Sequence, residues 1–275
     1  MRNVFTVDLE EWFHVCGVPA LARDQWDRLP SRVDVTTSRV LELLDSADVT
    51  ATFFVVGWIA ERHPNVIDRV RRAGHQIGSH GHLHQRAYEL GPEGFVQDLR
   101  ASVAALNSAG IADVRAYRAP EWSINARSLW ALEALAREGF SIDASMAPLR
   151  MVGDPHGPRY PHRRMTRAGQ ILEVPPLVAD RFGQTMPMGW GWGLRMSSPR
   201  RVLREIEREN RRGRPAILTI HPWELDGDPP RVSLPLGLHF AHYFRLEGFL
   251  ERLRQVINGA EFGPIQQIPV PIEAL

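Results

Sequence analysis

Short β-branched or aromatic runs alternate with amphipathic segments along most of this chain, and that rhythm constrains its fold more than any other feature. "NVFTV" (3–7) reads as a buried strand, and "TTSRVLELLDSA" (36–47) as a helix with Val40, Leu41, Leu43 and Leu44 on its apolar side. Strand "TATFFVV" (50–56), helix "NVIDRVRRAG" ending on Gly74, and strand "HQIGSH" (75–80) follow. "PEGFVQDLRASVAALNSAG" opens with Pro92 and closes on Gly110, as helices do. The pattern continues through "VRAYRAP", "ARSLWALEALAREG", "FSIDAS", "ILEVPP", "PRRVLREIERENRRG", "AILTIHP" and "RLEGFLERLRQVING". Repeated strand–helix units predict an α/β protein with a parallel sheet and outer helices, and their number at 275 residues favours a barrel over an open sheet. With no internal repeat and no Gly/Ser linker, residues 1–275 read as one domain. Residues 150–200, rich in Pro, Gly, Met and Trp, break the rhythm and read as a rim insertion.

Each apolar run ends on a reactive residue. "FTV" leads to Asp8 and Glu10, "QIG" to His80 and His84, "RAY" to Arg118, "FSI" to Asp143 and "ILTI" to His221. In parallel α/β barrels the C-terminal strand ends converge on the face that carries the active site. Two imidazoles and a carboxylate with an open position form a common catalytic zinc set. In "GSHGHLHQ" (78–85), a strand would put His80, His82 and His84 on one face, whereas a helical turn would pair His80 with His84. Asp8 and Glu10, two residues apart, project to one side if strand geometry persists, so one can ligate while the other acts as base; Glu11 then points away.

Composition narrows the function classes. Lys+Arg 33 against Asp+Glu 32 leaves a formal charge of +1, which gives no electrostatic footprint for nucleic acid. Cys16 is the sole cysteine, so neither an intrachain disulfide nor a thiolate cluster can form. No run approaches the ~20 apolar residues of a membrane span, and "MRNVFTVDLEEWFHV" lacks the apolar core of a signal peptide. The chain therefore reads as cytoplasmic.

These residues resemble the polysaccharide deacetylases, carbohydrate esterase family four with its NodB-homology domain. The motifs are "TVDLEEW" (6–12), "HGHLH" (80–84), "RAP" (118–120), "DAS" (143–145) and "LTIH" (218–221), extended to "HPWELD". "DLEEWFH" and "HPWELD" look most like the exosortase-associated branch found at exopolysaccharide loci. The resemblance implies a deformed barrel of about seven parallel strands. It also implies a divalent metal held by His80, His84 and a carboxylate, with His82 turned away and residues 80–84 forming a turn or short helix. The family's usual ligand position is Leu9 here, which cannot ligate, and Glu10 is the natural substitute. Zinc suits this set, and cobalt, nickel or iron can occupy the same ligands.

The resemblance further implies Asp8 as base, His221 as acid, Arg118 paired with Asp8, Asp143 paired with His221, and a backbone N–H near Glu121 completing an oxyanion site. Trp122 and Trp223 are candidate substrate walls, with Trp190 and Trp192 near the rim and "GWGWG" either a lid or a packed loop. The expected activity is N-deacetylation of an amino sugar in an exopolysaccharide or its precursor. Two alternatives are hydrolysis of small ureide or cyclic-imide amides, and glycan binding without catalysis. A cytoplasmic deacetylase of polymer would need a lipid-linked intermediate, or membrane-associated assembly partners holding it peripherally at the inner membrane; oligomeric state is open.

Overall fold

The computed structural model of the chain describes residues 1–150, 152–181 and 183–268. The expected rim insertion therefore loses residues 151 and 182 from view, and residues 269–275 lie outside the described chain. In chain order the main elements are β1 (Asn3–Leu9), α1 (Val33–Ser46), β2 (Thr52–Val55), α2 (Gly57–Arg62), α3 (Pro64–Arg72), β3 (Gln76–Ser79) and α4 (Ala87–Ser108). Then come β4 (Ala116–Tyr117), α5 (Trp130–Arg137), β5 (Ile142–Asp143), β6 (His162–Thr166), β7 (Gly169–Glu173), β8 (Val178–Arg181), β9 (Gln184–Pro187), α6 (Gly191–Met196) and α7 (Pro199–Arg211). The last are β10 (Ile217–Ile220), α8 (Leu236–Tyr243), α9 (Phe249–Asn258) and β11 (Phe262–Gly263).

The strands run in the order β10-β1-β2-β3-β4-β5-β7-β6, with β11 also on β1. Every pairing in this sheet is parallel except the β6–β7 hairpin, so the parallel run from β10 to β7 comprises seven strands, the number expected; β8 and β9 form a separate antiparallel pair. The sheet curls into a half-barrel. Beyond β7 the chain continues to Leu177, whose N–H donates to Ile217 O at 3.0 Å, so irregular backbone bridges back towards β10.

The period of two along β1 sorts its side chains. Val4 packs with Phe54, Ala116, Ile142, Ala144 and Ile217 inside the curl. Thr6 and Asp8 share that face, and Arg118 Nη1 bonds to both. Phe5, Val7 and Leu9 point outward and pack under helix residues Val40, Leu43, Ile67, Val70, Ile206 and Leu253. Burying a side chain such as Leu9 is worth about 1.5–3 kcal/mol, so its position is committed to the core. This parity explains why the acids of "DLE" are separated by one residue: Leu9 faces the helices.

Sequence reading missed β6, the β8–β9 hairpin, β11 and helices α2, α6 and α8. They are short, and β6, β8, β9 and α6 lie in the Pro/Gly/Trp-rich segment, where no period persists for long.

Candidate active site

Residues 80–84 leave β3 as a loop with two left-handed positions, Gly81 (φ 71°) and His84 (φ 49°), rather than as a helix. Asp98 of α4 pins it by accepting from His82 N at 2.8 Å and Leu83 N at 3.1 Å. Gly57 N and Trp58 N of α2 hold its other edge through the carbonyls of Gly81 and His82. A Cβ on Gly81 would stand 2.9 Å from the Asp98 carboxylate, so the glycine is required twice over. His82 leans towards Glu61, at 3.9 Å, while His80 and His84 turn inward.

There they meet Glu10. Its Oε2 lies 2.6 Å from His84 Nε2 and 3.7 Å from His80 Nε2. One donor atom from each of the three buried residues falls within 4.8 Å of the others. His80 Nδ1 donates to the Arg118 carbonyl at 2.8 Å, which leaves its Nε2 lone pair free to ligate. The group fits a divalent metal in donor type, number and tautomer. Burial alone would raise the Glu10 carboxyl, but His84 and His221 beside it hold it well below its ordinary value. His84 is correspondingly pushed well above its usual range, burial being outweighed by Glu10.

Glu11, as expected, points elsewhere. It accepts from Arg32 N, Val33 N and Ser31 Oγ and so caps the first turn of α1.

Two further arms close on this centre. Arg118 Nη1 donates to Asp8 Oδ1 at 2.6 Å, Nε donates to Ala144 O, and the guanidinium sits over the Phe54 and Trp122 rings. Asp8 Oδ2 is left facing His221 Nε2 at 3.9 Å. His221 Nδ1 pairs with Glu224 Oε2 at 3.0 Å, and Glu224 Oε1 accepts from Arg195 Nε at 2.8 Å. Arg195 and Glu224 are fully buried, and Arg195 also binds the carbonyls of Ala241, His242 and Phe244 at the end of α8. Burial pulls His221 down, yet Glu10, Glu224 and Asp8 together push it up to about 9.

The expected Asp143–His221 pair does not form; Glu224 takes that place. Parallel register sets Asp143 directly beside Glu173 of β7, and the two buried carboxyls face each other, with Ser145 Oγ donating to Asp143 at 2.5 Å. The signal for Glu224 was present as His-x-x-Glu, the spacing of a capping box: His221 N also donates to its carboxylate, at 3.0 Å. Arg195 lay hidden in the Trp/Gly-rich stretch. His14 and His242 carried no spacing that argued for chemistry, yet His14 stacks on His84 and His242 on Trp223.

Glu121 and Trp122 both adopt positive φ, 53° and 55°. The Glu121 carboxylate turns to Arg86 and Cys16 N, so its side chain supports the wall of the site. Trp122 packs on Trp190, ring centres 4.9 Å apart, and both line a cavity of about 300 Å³ with Trp192, Leu149, Leu234 and Leu238. Asp8, Glu10, His80, His84, Arg118 and His221 line the same cavity. Trp190 bridges to Thr219 of β10, and α6 begins at the next residue, so "GWGWG" is packed against the barrel.

Residues 25–139 match the polysaccharide deacetylase family model, and residues 144–269 match a domain of unknown function, DUF3473. A chitooligosaccharide deacetylase of Sinorhizobium fredii is 34% identical over 40% of this chain and 52% of its own length. Another, from Rhizobium leguminosarum bv. trifolii, is 27% identical over 43% of this chain and 51% of its own. A peptidoglycan-N-acetylglucosamine deacetylase of Bacillus cereus is 31% identical over 26% of each. The chain thus spans between about a quarter and a half of these relatives' lengths. In fold it is similar to a "putative polysaccharide deacetylase" from Mycobacterium smegmatis, with TM-score 0.62 and 23% identity over 96% of this chain and 87% of that one. It is also similar to a CE4 family pseudoenzyme from Bacillus anthracis, with TM-score 0.50 and 14% identity over 99% of this chain and 66% of that one. Among the described residues no helix is long and apolar enough to cross a membrane. The chain is thus similar to the polysaccharide deacetylase family over residues 25–139, and the curated relatives it resembles in part are deacetylases.

Proposed function

We propose that this protein is a metal-dependent N-deacetylase acting on an amino sugar of an exopolysaccharide or its precursor. The observation that carries the reading is the convergence of Glu10, His80 and His84 beside Asp8 and His221 in one tryptophan-walled cavity. Glu10, His80 and His84 would hold the ion, which when bound supplies Lewis-acid polarisation of an acyl oxygen and acidifies water. Zinc suits the donors.

The chain's own residues carry the protons. Arg118 holds Asp8 by Oδ1, which leaves Oδ2 to take the proton of the attacking water. The water oxygen bonds to the acetyl carbon and the C–N bond breaks. His221, fixed through Nδ1 by Glu224, gives a proton from Nε2 to the departing sugar nitrogen, so that acetate and a free amine result. A backbone N–H near Glu121 would serve the oxyanion. Trp122, Trp190 and Trp192 offer flat faces to pyranose rings.

The test is bound metal per chain in wild type beside His84→Ala, followed by acetate release from N-acetylhexosamine oligomers. Stoichiometric metal and acetate from wild type support the reading. Release of ammonia or amine from ureides or cyclic imides, with hexosamine oligomers untouched, would move the substrate to small amides.

A further inference from the structure

Trp223 stands where a substrate wall was expected, yet its polar atom is turned to the metal centre. Its indole Nε1 donates to Glu10 Oε1 at 3.1 Å, a bond between buried groups 213 positions apart in the chain. An indole N–H is a donor only, so it can orient a ligand but cannot become one. The ring is itself fixed. It stacks against His221 (5.3 Å, 23°) and His242 (4.3 Å, 21°), and Arg195 lies 5.9 Å from its centre.

The two oxygens of Glu10 are therefore unlike. Oε2 faces the His80 and His84 imidazoles, while Oε1 is bonded to Trp223 and lies 3.6 Å from His221 Nε2. We infer that Trp223 is a positioning residue of the metal centre, whose indole N–H holds Glu10 Oε1 so that Glu10 offers Oε2 alone to the ion. The inference rests on the metal-dependent reading above. It also accounts for the acid-x-acid spacing. A glutamate just past the end of β1 has one more rotatable bond than an aspartate, and each immobilised rotor costs entropy. The bond from Trp223 fixes that rotor, and it keeps the second oxygen from chelating, so coordination positions stay open for water and substrate.

The experiment replaces Trp223 by benzothienylalanine, which keeps the shape and stacking of tryptophan with sulfur in place of N–H. Trp223→Phe serves as the encoded counterpart, and thermal unfolding checks that both variants fold. Zinc and cobalt affinities are measured by competition with a chromophoric chelator, and the visible spectrum of the cobalt form is recorded. Expected are an affinity about 10–100-fold weaker in both variants, the usual cost of losing an outer partner of a metal ligand, and an altered cobalt spectrum as Oε1 is released. Wild-type affinity within about twofold together with an unchanged cobalt spectrum would overturn the inference and return Trp223 to the substrate wall. If wild type takes up neither ion, the metal-dependent reading fails first, in the unsubstituted protein, and the inference falls with it.

Discussion

Two groups of buried carboxylates sit within the same barrel and behave oppositely. At the cavity, Glu10 and Glu224 are each met by cations or imidazoles, and both are held below their ordinary values despite burial. Deeper in, Asp143 and Glu173 meet each other. Burial raises both, and the Asp143 charge adds to the rise of Glu173. The first group stays ionised and can ligate or steer an imidazole. The second is closed off from the cavity, between β5 and β7. Partner chemistry, rather than burial, separates a working carboxylate from a structural one.

Substitutions can break or sharpen this contrast. The largest effect belongs to the cavity group: His84→Ala loses most of its bound metal and all measurable acetate release, read by elemental analysis and a coupled acetate assay. Asp8→Asn lowers kcat by about 10²–10⁴-fold while metal stays bound; loss of metal as well would show that Asp8 and Glu10 have exchanged roles. Glu224→Gln, which removes the charge beside His221, lowers kcat by up to ~10²-fold with little change in KM. Asp143→Asn, whose side chain does not touch His221, should cost less than Glu224→Gln in the same assay, and the reverse order would restore the pairing read from the motifs.

The smallest effect is on stability. Glu173 is raised in the folded state, so the fold binds more protons than the unfolded chain does above the ordinary glutamate value of about 4.3. Stability from this group is therefore full at acid pH and is lost as pH rises towards the raised value. Glu173→Gln keeps a donor towards Asp143 and should make the melting temperature, followed by circular dichroism, a few degrees less sensitive to rising pH. An unchanged pH slope would mean that the pair holds no proton.

The legible parts of the site are those that follow strands. Asp8, Glu10, His80, Arg118 and His221 each sit just past an apolar run, and strand parity alone separates Glu10 from Leu9 and Glu11. His80 and His84 face inward because Asp98 and α2 fold the loop between them, a long-range effect that no local period encodes. The Asp143 partner was misread because register decides it: β5 pairs with β7, which brings Glu173 alongside. Glu224 was readable as a cap but not as the group holding His221. Arg195 was beyond reach, since its meaning depends on the end of α8 arriving beside it.

The pairing of β1 with β10 has a consequence for the order in which the molecule is made. A nascent chain carries Glu10, His80 and His84 long before it carries Trp223 and His221. Until Ile217–Ile220 emerges, one side of β1 is an open edge, the kind of surface that invites foreign pairing. Docking of β10 therefore covers that edge and brings His221 and Trp223 to the site in the same step. Glu10, His80 and His84 all precede that step, whereas His221 and Trp223, proposed to donate the proton and to hold Glu10, arrive only with it.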